Sequence, residues 1–443
     1  MNASYERSLS RRDFLTRSGI AAASVVTGGI RTAPVVASAR PPEDWVAVRA
    51  RFRLRRDYLH FAAPVLASHP DVVAAAIADH RQALDADTKR YLYANETRLD
   101  DQVRGLAATY LDADADDVAL TDSTTMGLGT VYTGLDLRAG DEILTTEHDF
   151  YATHQALRFC ADRTGARIRK VTLYPEASPQ DATCDGIVDS LIRGVTSRTR
   201  LVAVTWVHSS SGVKLPLADI AAAIQERGRQ TGDPILLSVD GVHGFGVESE
   251  PVARLGCDLF ISGCHKWLFG PRGTGLVWGS ADGWNMVRST IPSFDGRAYS
   301  AWLEGRGSSQ VPAGPWMTPG GFHSFEHRWA LAEAFRFHDQ IGADAIANRT
   351  HALAAQLKEG LADIDGITVH TPAAAHLSSG IVCFSVDGIP SELIVDALET
   401  KLHVLASVTP YRQAFVRFMP SLVNAPDEIE EALLALRTLT TGR

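Results

Sequence analysis

Apolar and polar positions along this chain follow two rhythms in turn. Residues 118–121, 142–146, 167–173 and 201–207 are short runs rich in Val, Ile, Leu and Thr, which predicts buried strands. Between and before them, 71–84, 99–110, 186–193 and 217–229 carry apolar residues at helical spacing, the first starting behind His69-Pro70-Asp71. Strand and helix in alternation predict an α/β fold, a large domain with a mostly parallel sheet flanked by helices. Beyond residue 279 the pattern loosens. A Gly- and Pro-rich stretch at 308–321 leads into helical patterns ending near 341 and at 343–363. Short strands are predicted at 369, 381–386 and 404–408, with helices at 391–400 and 426–439. That mixture predicts a smaller α+β C-terminal domain. The expected division is 40–68 as an N-terminal segment packing on the small domain, 69–325 as the large domain, and 326–443 as linking helix and small domain.

One stretch, 235–279, gathers candidate chemistry. An apolar run at 235–239 ends on Asp240, followed by Gly241. A second run, 258–261, ends at Ser262-Gly263-Cys264 and then His265-Lys266, before a turn-rich Gly270-Pro271-Arg272-Gly273. An acid and a lysine thus each stand just past a strand end, the edge where open α/β sheets bind ligands. A lysine able to hold an aldehyde, and a carboxylate able to keep a pyridine nitrogen protonated, are what pyridoxal 5'-phosphate (PLP) chemistry needs.

Composition changes the picture mainly at the amino terminus. The formal net charge of −9 and ordinary apolar content suggest neither a nucleic-acid surface nor disorder. Ser10-Arg11-Arg12-Asp13-Phe14-Leu15 is a twin-arginine pattern, followed by a short apolar run at 20–30 and a small-x-small site at Ala37-Ser38-Ala39. Residues 1–39 are therefore expected to be a signal for the twin-arginine export machinery, cleaved after Ala39, with a periplasmic or exported product. The five cysteines show no CxxC and no cluster has metal-ligand spacing, so no metal site is expected.

The residues Asp240-Gly241-Val242-His243-Gly244, His265-Lys266-Trp267-Leu268 and Gly270-Pro271-Arg272-Gly273 resemble the signature of the class V aminotransferase family of fold-type I PLP enzymes. The resemblance runs from about Tyr58 to the C-terminus and is nearest to the isopenicillin N epimerase-like branch. It implies that Lys266 carries the cofactor and then acts as general base at the substrate Cα, and that Asp240 faces the ring nitrogen. It places Thr124 and Thr125, beside Ser123, on the phosphate, and His243 and His265 beside the ring. His148 is expected to stack on the ring, or Phe150 if the alignment shifts by two. Ser209 is expected to hydrogen-bond the phenolic oxygen. Arg417 is expected to clamp the substrate carboxylate, with Arg412 as fallback. The loop 89–93 resembles one that family members place near a dimer interface.

The resemblance also implies a homodimer and a small-molecule amino-acid substrate. Many family members carry Gly-Thr where this chain has Gly320-Gly321, and desulfurases carry a nucleophilic Cys just before the carboxylate-binding arginine. Residues 402–416 contain no Cys, which argues against a desulfurase. The expected activity is α-proton abstraction from an amino acid by an isopenicillin N epimerase-like enzyme. The alternatives are an aminotransferase or a PLP-dependent oxidase or lyase, and, from another class, a non-catalytic PLP-fold binding protein.

Overall fold

The computed structural model describes residues 44–307 and 310–441. The expected export signal lies outside the described residues. The strands, in chain order, are β1 (Leu59–His60), β2 (Val118–Thr121), β3 (Glu142–Thr146), β4 (Arg167–Val171), β5 (Thr199–Thr205), β6 (Leu236–Asp240), β7 (Leu259–Gly263), β8 (Gly275–Gly279), β9 (Ile367–Val369), β10 (Val382–Val386), β11 (Val404–Leu405), β12 (Ser407–Val408) and β13 (Val416–Phe418).

The large lobe is built on a seven-stranded sheet in the order β2-β8-β7-β6-β5-β3-β4. Strands β4, β3, β5, β6 and β7 run parallel, and β8 is antiparallel to both neighbours. Successive side chains of a strand point to opposite faces. Val202, Val204, Leu237 and Val239 accordingly enter one apolar core and Leu201, Ala203 and Leu236 the other. The second core is closed by helices Thr124–Gly134 and Tyr151–Thr164, the first by Cys184–Gly194, Leu217–Thr231 and Phe325–Ile341 among others. Burial on both faces is why these strands read as continuous apolar runs.

Strand β8 follows the turn-rich stretch 270–273 and is not predicted from sequence. Its three non-glycine residues, Leu276, Val277 and Trp278, lie between glycines and are too few to show a period. It matters for the site. Because it reverses direction twice over, Thr121 of β2 and Gly263 of β7 both pair with Gly275. The loops after β2 and β7 therefore leave the sheet at the same edge, side by side. The loop expected at 89–93 is instead helical. Asp87 caps a new helix, Thr88–Leu111, by accepting the Arg90 N–H, and the chain stays helical through those residues.

The smaller lobe is a four-stranded antiparallel sheet, β12-β13-β10-β9, covered by helices Ala343–Ala362, Ser391–Leu402 and Pro426–Thr441. Strand β1 pairs in parallel with β11, Leu59 opposite Val404, so the lead-in segment packs on this lobe.

Candidate active site

Lys266 lies past the end of β7, and its Nζ is 3.0 Å from Nε2 of His243. The other ring nitrogen of His243, Nδ1, is 3.2 Å from the indole nitrogen of Trp267. An indole N–H can only donate, so His243 Nδ1 must accept. Burial holds the His243 imidazole well below its usual pKa, with Lys266 adding to the effect, so the ring is neutral and carries its one proton on Nε2. That N–H donates to Lys266, which must then offer a lone pair. The geometry thus calls for a neutral amine. Burial agrees, pushing Lys266 down to about 8, with Arg417 pushing the same way and Asp240 opposing.

Asp240, the last residue of β6, is buried. It accepts the Val242 N–H (3.1 Å) and, at 3.4 Å, the Thr153 hydroxyl. Burial pushes its carboxyl up to about 6, against the pull of the Val242 N–H and of Lys266. Behind it the turn is tight, because a Cβ on Gly241 would stand 2.0 Å from the Phe260 ring. Among the described residues Asp240 has no ion-pair partner.

The loop after β2 begins a helix whose N-cap is Ser123, its hydroxyl accepting the Met126 N–H at 3.1 Å. Thr124 Oγ1 accepts the Gly263 N–H at 2.8 Å, which leaves its own proton to donate elsewhere. Thr125 is exposed beside it. A Cβ on Gly263 would stand 2.9 Å from Thr124 Oγ1 and 3.2 Å from His265 Nδ1, so the notch between the two exists only because residue 263 is glycine. His265 Nδ1 is buried without a hydrogen-bond partner. A helix start, a free hydroxyl proton and an unsatisfied imidazole nitrogen make a cradle for an anion.

His148 is buried at the turn after β3. Its ring stacks on Tyr174, 3.9 Å between centroids, and its Nε2 accepts the Leu173 N–H at 3.1 Å. Burial holds it at about 3, with His208 acting the same way, so the ring is neutral. The strand-end turn folds inward, which brings the ring against Tyr174. That turn is set by Asp149, which the sequence reading passed over. Asp149 accepts from Thr145 and Thr146 and from the Thr205 N–H at 2.7 Å. Phe150, next in the chain, is turned outward and meets Tyr411 edge-on at 6.1 Å.

Arg417 sits on β13 between Ser407 and Cys383. Its Nε donates to Ser407 Oγ (3.0 Å) and its Nη1 to the Ser209 carbonyl (3.2 Å). Burial lowers its pKa, and among the described residues it has no acid partner. Arg412 is exposed in the preceding loop. Ser209, beyond β5, bonds through Oγ to the Tyr411 hydroxyl at 2.7 Å. Tyr411 carries no local signal in the sequence, since its partner Ser209 lies 202 positions away. All five cysteines are free thiols, and Cys383, beside Arg417, is pushed up to about 12 by burial.

Among the described residues, the Asp240 carboxyl and the Arg417 guanidinium therefore have hydrogen bonds but no ion-pair partner, and His265 Nδ1 has no hydrogen bond. They suit a protonated ring nitrogen, a substrate carboxylate and a phosphate, with the Lys266 amine among them. The residues fit pyridoxal phosphate. Residues 58–407 match the model of the aminotransferase class V family. The chain belongs to that family. Its cofactor is pyridoxal 5'-phosphate.

Within the family the relatives point away from epimerases. The chain is 26% identical over 432 residues to a probable cysteine desulfurase of Xylella fastidiosa (strain Temecula1 / ATCC 700964), covering 90% of this chain and 97% of the relative. It is 26% identical over 336 residues to the cysteine desulfurase of Klebsiella pneumoniae (strain 342), covering 74% and 77%. Among solved structures, a mutant of C-DES with glycine covalently linked to the PLP cofactor superposes with a TM-score of 0.78 at 22% identity, covering 88% of this chain and 98% of that one. The cystine C–S lyase C-DES with its product cysteine persulfide gives 0.74 at 23%, covering 86% and 97%. These relatives overturn the epimerase-like reading in favour of its lyase alternative. The motifs behind that reading serve the cofactor, which family members share whatever the reaction.

Proposed function

We propose that this protein is a carbon–sulfur lyase that releases the sulfur substituent from Cβ of a cysteine-derived amino acid. The observation carrying this reading is the loop before Arg417. It holds Tyr411 and no cysteine, and it is closed at its base, Thr409 N–H to the Phe415 carbonyl (2.9 Å) and Phe415 N–H to Thr409 Oγ1 (2.9 Å). With no thiol on that loop to receive sulfur, the sulfur leaves on its own substituent.

Bound pyridoxal phosphate supplies the electron sink that makes the substrate Cα–H acidic. The chain supplies the rest. Asp240 would hold the ring nitrogen, Thr124, Thr125 and His265 would hold the phosphate, and Ser209 would reach the phenolic oxygen. Phe150, rather than His148, would cover the ring. Arg417 fixes the substrate carboxylate, for which its planar fork is suited. Lys266, once free, takes the Cα proton on Nζ, its lone pair held ready by the His243 Nε2–H. As the proton leaves Cα the Cβ–S bond breaks and the electron pair departs with sulfur. The net change is RS–CH2–CH(NH3+)–COO− plus water giving RSH, pyruvate and ammonium.

A homodimer and twin-arginine export belong to the same proposal. The exposed aromatic cluster Phe294, Tyr299 and Trp302, with successive ring centroids 6.4 and 5.8 Å apart, supports a partner surface. The Ser10–Leu15 pattern supports export.

The test is product analysis on L-cystine, L-cysteine and S-methyl-L-cysteine. Pyruvate, ammonium and a thiol or persulfide in equal amounts are expected. Alanine with protein-bound persulfide would make the protein a desulfurase and reject the lyase reading.

A further inference from the structure

Tyr411 is the inward-turned side chain of a loop whose other polar members, Arg412 and Gln413, face solvent. Its hydroxyl crosses from the small lobe to Ser209 Oγ, 2.7 Å away, while Arg417 crosses to the Ser209 carbonyl. One residue of the large lobe thus anchors both the carboxylate-binding arginine and the tyrosine. Phe150 meets Tyr411 edge-on, with rings at 66° and centroids 6.1 Å apart, and 37% of Phe150 is exposed. Two aromatic rings from different lobes therefore border the place where Arg417 would set the substrate.

The phenol is pinned by its own hydroxyl, so it offers ring carbon rather than a charge. Burial raises its pKa and Ser209 opposes, which keeps it neutral. Sulfur packs favourably at the edge of aromatic rings. A bare thiol gains little from such a wall, whereas a thioether or disulfide brings both a neutral sulfur and further apolar surface.

We propose that Tyr411 and Phe150 form the specificity wall of this enzyme, selecting cysteine derivatives substituted on sulfur over cysteine itself, with the Tyr411–Ser209 bond holding the wall in place. The inference rests on the lyase reading and adds its substrate class.

The test compares wild type with Tyr411→Ala and Tyr411→Phe, using S-methyl-L-cysteine, L-cysteine and the sulfur-free β-chloro-L-alanine. In the wild type kcat/KM for S-methyl-L-cysteine should exceed that for L-cysteine. Tyr411→Ala should lose about tenfold in kcat/KM for S-methyl-L-cysteine, mostly through KM, while β-chloro-L-alanine changes little. Retained turnover of β-chloro-L-alanine shows that the variants are folded and loaded. Tyr411→Phe, which keeps the ring, should recover part of the preference. An unchanged ratio between S-methyl-L-cysteine and β-chloro-L-alanine in Tyr411→Ala overturns the wall.

If the wild type makes pyruvate from none of these compounds, the lyase reading fails by itself. The wall is then judged by affinity, from spectral titration of the bound cofactor with S-methyl-L-cysteine against L-alanine. An affinity ratio that Tyr411→Ala leaves unaltered overturns it, and a collapsed ratio upholds it.

Discussion

The Lys266 amine accepts a hydrogen bond from His243 rather than giving one, because the Trp267 N–H occupies the other nitrogen of the same imidazole. A residue adjacent in sequence to the lysine thereby decides the lysine's protonation through a ring on another loop. Covalent capture of the cofactor aldehyde needs the neutral amine. In the apoprotein the capture rate should therefore rise with pH and level off above about 8, the value to which burial pushes Lys266. Stopped-flow absorbance after mixing with pyridoxal phosphate reads this directly. A rise centred near the ordinary lysine value of about 10.4 would contradict the neutral-amine geometry.

Asp240 should be costly to the fold without its cofactor. Its folded-state pKa is raised to about 6 from 3.8, so the ionised form is disfavoured in the apoprotein. The cost is absent below the unfolded value, grows as pH rises between the two, and is complete above about 6. At about 1.4 kcal/mol per pKa unit, Asp240→Asn should stabilise the apoprotein by roughly 2–3 kcal/mol at pH 8 while lowering turnover at least 100-fold. Urea melts of the two apoproteins at pH 8 and pH 4 check the sign, since the gain should disappear at the lower pH.

His148 and Phe150 should separate cleanly. His148→Ala leaves the buried Leu173 N–H unpaired and should cost about 1–3 kcal/mol of stability. Phe150→Ala, at a partly exposed position, should leave the urea midpoint nearly unchanged and weaken cofactor binding. Equilibrium dialysis of pyridoxal phosphate against both variants decides which ring covers it.

Arg417→Lys keeps the charge and loses the fork. KM for amino-acid substrates should rise about 10- to 100-fold while kcat falls much less, since the carboxylate contact is made equally before and during reaction. Steady-state kinetics would expose a different role if kcat fell and KM held.

The sequence by itself determined the parts whose signal is local. Strands buried on both faces are apolar throughout, so β3, β5 and β6 were readable, with errors of a residue or two at their ends. Asp240 and Lys266 were readable because a strand end is also a local event, and the family motifs lie next to them. What depends on direction or on distant partners was decided only in three dimensions. The double reversal at β8 brings Thr124 to the Gly263 notch, yet its strand carries too few apolar residues to announce itself. The turn imposed by Asp149 sends His148 inward and Phe150 outward, a choice made by hydrogen bonds to Thr205 on another strand. Tyr411 and Ser209 are 202 positions apart, and nothing in either neighbourhood marks them as partners. Periodicity reports which face of an element is buried, whereas a hydrogen bond between lobes depends on where the whole chain has folded.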